Sequence, residues 1–404
     1  MPKAPSRVSR RQSDASRRNA TAIVEAAAAE IEAVGVDHLT MTKVARRARL
    51  TTGALYSRYE TSTELAADVW TQLVGPPTLD AFDDIVAAIV DGDRPAFDRT
   101  RERLRVPAPE ILVGLELVAV ARRIDELDEV IAPGLADAFA RWVPDDEPVR
   151  RARVAAVVGA AWGTLLHCAP GGLRLDWAPV MRLVRWSCRQ PYDPDQPVER
   201  FALGGIPDYS MRTSTDDPVD DALIAAAVTI IGRVGLKRAT NTRIARRAGV
   251  TSGAIYGRYR TKEALLERTF GTAVADWYGA NLDRYRAITA AAGRPTGTAS
   301  DPGATASDAF DPPGNDWPAF RLEAQIAAMH NPCLAHALNA VQDDAQRAYI
   351  ATVNVGSAIN GDAAATFARL THIMPLGLSM VEMAVPSIGP VEWRRALAPL
   401  ERFA

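Results

Sequence analysis

Basic side chains gather in two stretches of this chain. Residues 236–262 contain eight lysines and arginines and no acidic residue, although the 404-residue chain has a net charge of −2. Residues 36–62 contain five basic residues against Asp37 and Glu60. Before the first stretch come Lys3, Arg7, Arg10, Arg11, Arg17 and Arg18, and before the second come Asp216, Asp217, Asp220 and Asp221. Basic patches within a near-neutral protein are the expected electrostatic footprint of a DNA-binding face.

Both stretches belong to a repeat with a period of 200 residues. KVARRARLTTGALYSRY at 43–59 corresponds to RIARRAGVTSGAIYGRY at 243–259. Over residues 22–65, 20 of 44 positions are identical to the residue 200 positions later. Solenoid repeats have periods of about 20–50 residues, so this period indicates a duplicated protein fused head to tail.

Each copy opens with one helix and continues with two short ones. The first helix of the first copy is predicted over about 17–34, before Gly35, and its counterpart starts at Asp217 and Pro218 and stops at Gly235. Thr40 and Thr240 would cap the next helix, Thr51 and Thr251 the one after it, and the turn between them is three residues long. This arrangement is a helix-turn-helix. We call residues 16–62 the first head and residues 217–262 the second head.

Helical spacing separates the inner and outer sides of each helix-turn-helix. Packing over the first helix is expected from Val44, Ala45, Ala48, Leu50 and Leu55, repeated as Ile244, Ala245, Ala248, Val250 and Ile255. The outer side of the last short helix then carries Thr52, Gly53, Tyr56 and Ser57, or Ser252, Gly253, Tyr256 and Gly257. A glycine inside a helix costs about 1 kcal/mol relative to alanine. Close approach of the backbone to DNA would compensate for this cost.

Over about 45 residues of each copy, the chain resembles the tetracycline-repressor (TetR) family. The family pattern is A-x-x-A-G-V-[ST]-x-G-x-[LI]-Y-x-[RHY]-[FY]-x-x-K-E-x-L, which Ala245–Leu265 follows and from which the first copy departs at Arg49, Ser62 and Thr63. The resemblance implies a homodimer of helical subunits, each with a DNA-binding head and a core for ligand and dimerisation. The two heads enter successive major grooves. Because this chain has two heads, the resemblance implies a single-chain pseudo-dimer. A dimer of two such chains is the alternative.

The resemblance also implies roles for individual residues. Phosphate contacts are implied for the hydroxyls of Thr40, Thr42, Thr51, Thr240, Thr242 and Thr251, for Tyr56 and Tyr256, and for Lys262, which Ser62 cannot replace. Base readout would fall to Lys43, Thr52, Ala54 and Ser57 and to Arg243, Ser252, Ala254 and Gly257. Gly53, Arg58, Gly253 and Arg258 complete the expected DNA-binding set. Packing is the alternative for Tyr56 and Tyr256, and a solvated helix face is the alternative for Arg46, Arg47, Arg246 and Arg247.

No run with a period of two predicts a strand, so the expected fold is all-α. Residues 1–15 are interpreted as a disordered basic tail, 63–190 as the first helical core, 191–216 as a linker and 263–404 as the second core, with a disordered loop at 291–318. Helices are expected near 78–91, 94–104, 109–142, 148–168 and 176–190, and near 319–330, 333–356 and 363–385.

Other candidate sites have weaker support. His330, Cys333 and His336 are metal-ligand types, but no fourth ligand accompanies them and Pro332 interrupts the run, so no metal site is expected. Trp142, Trp162 and Trp177 could line a ligand pocket, with core packing as the favoured alternative. Without a nucleophile–base grouping or a phosphate-binding loop, neither an enzyme nor a cofactor is expected.

Three cysteines without paired spacing fit a reducing compartment, and no apolar run is long enough for a membrane span. A cytoplasmic protein is therefore expected. The predicted function is a sequence-specific transcriptional regulator, a ligand-responsive repressor with two DNA-reading heads in one chain, on an imperfect palindrome with unequal half-sites. The alternative is a helical interaction or scaffold protein in which one or both heads no longer read DNA.

Overall fold

The computed structural model describes residues 7–143, 147–167, 177–192, 215–291, 316–354, 361–385 and 387–403. Every regular element in these ranges is helical, which confirms the predicted all-α class. None of the described helices combines the length and the apolar character that a membrane span requires. Contacts divide the chain into two compact units, one of Met1–Asp80 with Ala108–Gly134 and one of Ala81–Pro107 with Leu135–Ala404.

The first unit contains the first head. It begins with α1 (Arg7–Val34), a 3-10 turn (Val36–His38), α2 (Met41–Ala48), α3 (Thr52–Tyr56) and α4 (Ser62–Val69). The chain continues through α5 (Gly75–Val86) and α6 (Arg94–Arg105) to α7 (Pro109–Ala121), which packs on α1. Ile23, Ala27 and Ile31 on α1 are fully buried, as are Val44 on α2 and Leu55 on α3. The apolar residues selected by helical spacing therefore form the interior of this head.

The second unit contains the second head and helices from both halves of the chain. From the first half it takes α6, the C-terminal part of α8 (Asp125–Trp142) from Leu135 onward, α9 (Pro148–His167) and α10 (Trp177–Cys188). The second head follows as α11 (Pro218–Arg238), α12 (Asn241–Ala248) and α13 (Ser252–Arg258). The remaining helices are α14 (Lys262–Ala291), α15 (Trp317–His330), α16 (Pro332–Asn354), α17 (Gly361–Val381) and α18 (Pro390–Leu397). Of these, α15 packs on α11, as α7 packs on α1.

Helices from the two halves of the chain pack together inside the second unit. α9 and α10 from the first half contact α17 and α18 from the second half. Glycines bring α9 and α17 together so closely that a Cβ atom at Gly377 would lie 1.9 Å from the carbonyl oxygen of Gly159. A Cβ atom at Gly163 would lie 2.0 Å from the carbonyl oxygen of Ile373. The two backbones are thus in direct contact.

Three expectations about the first half were wrong. Residues 7–15 were assigned to a disordered tail, but they form the beginning of α1. A separate helix was expected from about residue 78, but α4 runs into α5 through a π-helical turn at Trp70–Val74, where the amide of Gly75 donates to the carbonyl of Trp70. Pro76 and Pro77 have no amide hydrogen, and the wider turn accommodates them within a continuous helix.

The region 109–142 was expected to be one helix, but it contains α7 and α8, which are separated at residues 122–124. In the second half, Trp317 and Pro318 open α15, although they were assigned to the loop at 291–318. Pro375 lies inside α17. Most of that loop, most of the predicted linker and residues 1–6 lie outside the described residues.

Candidate nucleic-acid interface

Threonine side chains cap the short helices of the first head. The Oγ atom of Thr40 accepts a hydrogen bond from the amide of Lys43 at 3.4 Å, and the Oγ atom of Thr51 accepts one from the amide of Ala54 at 3.2 Å. Thr61 caps α4 through the amide of Glu64 at 3.0 Å. These bonds satisfy amides that a helix leaves unpaired at its N-terminus. They also fix the hydroxyl groups beside the remaining free amides, where a phosphate would be attracted.

The second head has the same threonine caps with one exception. It also has a glycine in the turn after α12, where the first head has an arginine. Thr240 accepts from the amide of Arg243 at 3.3 Å, whereas Thr251 caps α13 without a side-chain hydrogen bond. The turn after α12 requires the left-handed conformation, which Gly249 adopts with φ 71°. Arg49 holds the same position in the first head with φ 57°, and it is the one described non-glycine residue with positive φ. This conformation costs an L-residue about 1 kcal/mol or more.

The residues expected to meet DNA lie mostly at the surface of each head. Exposed are Thr40, Thr42, Thr51, Thr52, Gly53, Tyr56, Ser57 and Arg58 in the first head, and Thr240, Thr242, Arg243, Thr251, Gly253, Tyr256, Gly257 and Arg258 in the second. Lys43, Ala54, Ser252, Ala254 and Lys262 are partly buried. Added Cβ atoms at Gly53 and Gly253 would approach no atom closer than 3.9 and 3.6 Å, respectively. Packing within the head therefore does not require glycine at either position.

Two pairs of tyrosines have opposite environments. The rings of Tyr56 and Tyr256 are 58% and 63% exposed, so the packing alternative does not describe them. Tyr59 and Tyr259 are buried. Tyr59 donates to Asp68 on α4 at 2.7 Å, whereas Tyr259 donates to Asp220 on α11. Burial and the hydrogen bond to a carboxylate both raise the pKa of each buried tyrosine.

A buried carboxylate binds two basic residues of the first head. Glu30 on α1 is 5% exposed and lies 3.3 Å from Nζ of Lys43 and 3.0 Å from Nη2 of Arg47. Burial acts to raise the pKa of Glu30, but the hydrogen bonds from Arg47 and Lys43 outweigh it and hold the pKa below its ordinary value. At the matching position the second head has Ile230, and within the described residues Arg246 and Arg247 have no carboxylate partner.

Several basic residues of the second head bind atoms of their own head. Arg258 forms two hydrogen bonds with Asp217, at 2.8 and 3.1 Å. Nζ of Lys262 donates to the carbonyl of Leu236 at 2.9 Å, and burial lowers the pKa of this lysine. Arg243 donates to the carbonyl of Arg238 at 3.2 Å. In the first head, Arg58 binds the carbonyl and hydroxyl oxygens of Ser16 at 2.8 and 2.6 Å. Lys262 and Arg258 would have to exchange these partners to reach phosphate.

Comparison with known families assigns both heads to one kind of domain. The family described as "Bacterial regulatory proteins, tetR family" matches residues 23–69 and again residues 223–269. The chain carries two tandem TetR domains. These TetR domains indicate a DNA-binding transcription regulator. No curated protein matches the chain. The two TetR matches are 200 residues apart, as is the internal repeat. Each begins within the first helix of a head, covers its two short helices and extends into the next helix.

Outside the TetR domains, two tryptophans considered as ligand residues contact other side chains of the first half. Trp162 is 1% exposed and packs edge-on against Phe82 at 6.1 Å. Trp142 donates to Asp83 at 2.7 Å. The side chain of Trp177 lies outside the described residues. Among the side chains that the structure describes, no three His, Cys, Asp or Glu residues gather as a metal site would require.

Glu30 was not among the residues predicted for the surface of the first head, although it binds two of its cations. Its effect depends on α1 and α2 crossing so that one carboxylate reaches two turns of the neighbouring helix. The alignment of the two copies contained a signal, because it places a glutamate opposite an isoleucine at otherwise similar positions.

Proposed function

We propose that this chain is a ligand-responsive repressor whose two halves form one pseudo-dimer that reads an imperfect palindrome. The observation that carries the proposal is the contact between α9 and α17, because it joins one helix from each half. The bundle of α9, α10, α17 and α18 has the composition expected of a dimer interface, since two helices come from each copy. The glycine contacts between α9 and α17 support a fixed pairing, because a larger residue at Gly377 would clash with the backbone of Gly159.

Polar contacts between residues of the two halves also support the pairing. The side chain of Gln325 donates to the carbonyl of Leu166 at 3.0 Å, and the Nε2 atoms of His167 and His372 lie 2.9 Å apart. Arg151 donates to the carbonyl of Ser387 at 3.3 Å. Buried polar groups favour one register over others when their partners are available only in that register.

Contacts between each head and the core helix beside it support control by an effector. In the first half, the amide of Val36 donates to Glu116 on α7 at 2.6 Å, and Arg123 donates to Asp37 at 2.9 Å. In the second half, Arg233 on α11 binds Asp316, next to α15, at 2.8 and 3.0 Å. A ligand that favours one arrangement of a core over another would act on the adjacent head through such bonds.

The inequality of the heads supports unequal half-sites. Glu30 neutralises part of the first head, and Arg49 stands where the second head has Gly249. We infer that the second head is the main anchor on DNA and that basic residues before Arg17 strengthen the first. Lys43 and Arg243 differ at a position expected to meet bases, so the two half-sites should also differ in sequence.

Light scattering and a gel shift at stepped salt test the proposal together. The pseudo-dimer requires a mass of 43.5 kDa, with one chain per operator and a steep dependence of affinity on salt. A stable species of twice this mass with four heads would contradict the internal pairing. Weak binding without sequence preference would instead support a helical interaction protein.

A further inference from the structure

The second core contains a buried arginine without a carboxylate partner among the described residues. Arg321 on α15 is 9% exposed, and its Nη2 atom donates to the carbonyl of His372 at 3.0 Å. Its guanidinium also lies 4.9 Å from the centre of the Trp277 ring. A guanidinium has five N–H donors in a planar fork. A single carbonyl and an aromatic face use only part of this capacity and contribute no formal negative charge.

The neighbouring titratable groups leave this charge uncompensated. Burial lowers the pKa of His372 to about 4, and burial together with the charges of His372 and Arg321 lowers the pKa of His167. Both imidazoles are therefore neutral at pH 7. Burial lowers the pKa of Arg321 itself to about 10, so the guanidinium remains charged. Glu323 is buried on the same helix but two positions further on, where side chains face a different side of a helix.

Aromatic side chains form one wall beside the guanidinium. Trp277 stacks on Trp317 with ring centres 5.4 Å apart, and Tyr278 lies next to Trp277 at 5.0 Å. The Tyr278 hydroxyl is hydrogen-bonded to His372, with Nε2 at 3.0 Å. Trp277, Tyr278 and His372 are partly exposed, so the cluster borders the surface of the second core. A charged fork beside flat, accessible rings suits a ligand that has a carboxylate and a ring.

The first core lacks this arrangement. α7 and α15 both pack on the first helix of a head, and both have a proline in their first turn. Three residues after Pro109 the first core has Leu112, whereas three residues after Pro318 the second core has Arg321. The cation is thus a feature of one core, and no requirement of the shared packing explains it.

We propose that the second core binds a small aromatic carboxylate, whose carboxylate pairs with Arg321 and whose ring lies against Trp277. This inference rests on the proposed function, since it names the chemical class of the effector. The cost of burying a guanidinium is offset when a carboxylate pairs with it through two parallel hydrogen bonds. An aromatic face then contributes to affinity without a further charge.

Thermal melting and calorimetry on the full chain test the inference with benzoate, phenylacetate and cinnamate, each paired with its primary amide. We expect at least one acid to raise Tm and to bind at least tenfold more tightly than its amide. Arg321→Leu, which copies Leu112, should remove this preference, and Arg321→Lys should retain part of it. Without acid, Arg321→Leu should melt no lower than the unsubstituted chain, because it removes a buried charge that has no counter-ion.

The inference is overturned if no acid binds, if acids and amides bind alike, or if Arg321→Leu binds the acid as before. A lower Tm of ligand-free Arg321→Leu would give Arg321 a structural role and would also overturn it. A parallel gel shift separates this failure from that of the proposed function. If the chain binds DNA but no acid, only the proposed aromatic carboxylate effector is contradicted. If it binds an acid but no DNA, the proposed repressor function is contradicted.

Discussion

The carboxylate of Glu30 binds the guanidinium of Arg47 through two hydrogen bonds, at 3.2 and 3.0 Å, and Ile230 at the matching position of the second head can form neither. Lys43 is bound by the same carboxylate. Two of the five basic residues in 36–62 are therefore restrained on the surface where DNA is expected to bind. In the second head a carboxylate also restrains a cation, because Asp217 binds Arg258, but there the restrained residue lies at the end of α13 and not on α12.

Glu30→Ile should release both cations of the first head. If both then reach phosphate, the plot of log affinity against log salt becomes steeper by up to about two units. Footprinting should show stronger protection at one half-site. The matched control is Ile230→Glu, which should weaken the second head. An unchanged slope for Glu30→Ile would mean that Lys43 and Arg47 lie away from the DNA.

The Glu30 ion pairs should also make stability depend on pH. The pKa of Glu30 is below its ordinary value of 4.5 in the folded protein. The ion pairs therefore stabilise the fold above pH 4.5 and lose this effect as the pH falls through the lower, folded pKa. Thermal melts from pH 7 to pH 3 at low salt should show a higher Tm for the unsubstituted chain than for Glu30→Gln at neutral pH. The difference in Tm should disappear in acid. A gap that stays constant would contradict the ion pairs.

Arg49→Gly should stabilise the first head by about 1 kcal/mol, because it removes the cost of a left-handed conformation at a non-glycine residue. Gly249→Ala should destabilise the second head by a similar amount for the same reason. Nothing lies within 4 Å of a Cβ atom at Gly249, so the loss would come from the backbone conformation alone. Denaturant unfolding of both variants measures the two changes. Opposite signs are the required result.

Tyr256→Phe and Tyr259→Phe should separate binding from folding. The ring of Tyr256 is 63% exposed, so loss of its hydroxyl should leave stability within about 0.5 kcal/mol and weaken binding equally on all DNA sequences. Tyr259 donates to the buried Asp220, so Tyr259→Phe should destabilise the fold by about 1–3 kcal/mol. Gel shifts on cognate and random DNA, with melting curves, check both. Loss of binding to cognate DNA only would assign Tyr256 to base readout.

Deletion of residues 1–15 should weaken the first head on DNA. The deletion removes Lys3, Arg7, Arg10 and Arg11 but retains Ser16, which binds Arg58. The salt slope should become shallower by up to about four units if all four contact phosphate. Because residues 7–15 belong to α1, the triple substitution Arg7→Gln, Arg10→Gln and Arg11→Gln is the control that keeps the helix at full length. Symmetric footprints for both variants would leave these residues without a role in binding.

The sequence predicted local structure well where a single residue type determines it. The helices of the heads were predictable from local signals alone, namely the threonine caps, Gly35 and Gly235 at helix ends, and the apolar residues Val44 and Leu55. Proline normally interrupts a helix, so the continuous helix across Pro76 was not predictable. A π-helical turn before Pro76 allows the helix to continue although the prolines have no amide hydrogen. Glu30 and Arg321 escaped notice for another reason. The partners of each belong to other helices, and helical spacing does not specify which side chains meet across a crossing.

The contact between Gly159 on α9 and Gly377 on α17 has a consequence for how such a regulator behaves in a cell. Two separate subunits come apart when they are scarce, and they can exchange with related subunits that share their interface. In the proposed pairing, the two halves are joined by a peptide chain, so dilution does not separate them and their effective concentration favours each other over other subunits. Each copy can then accumulate its own substitutions, as Arg49 and Gly249 illustrate, without forcing the same change on its partner.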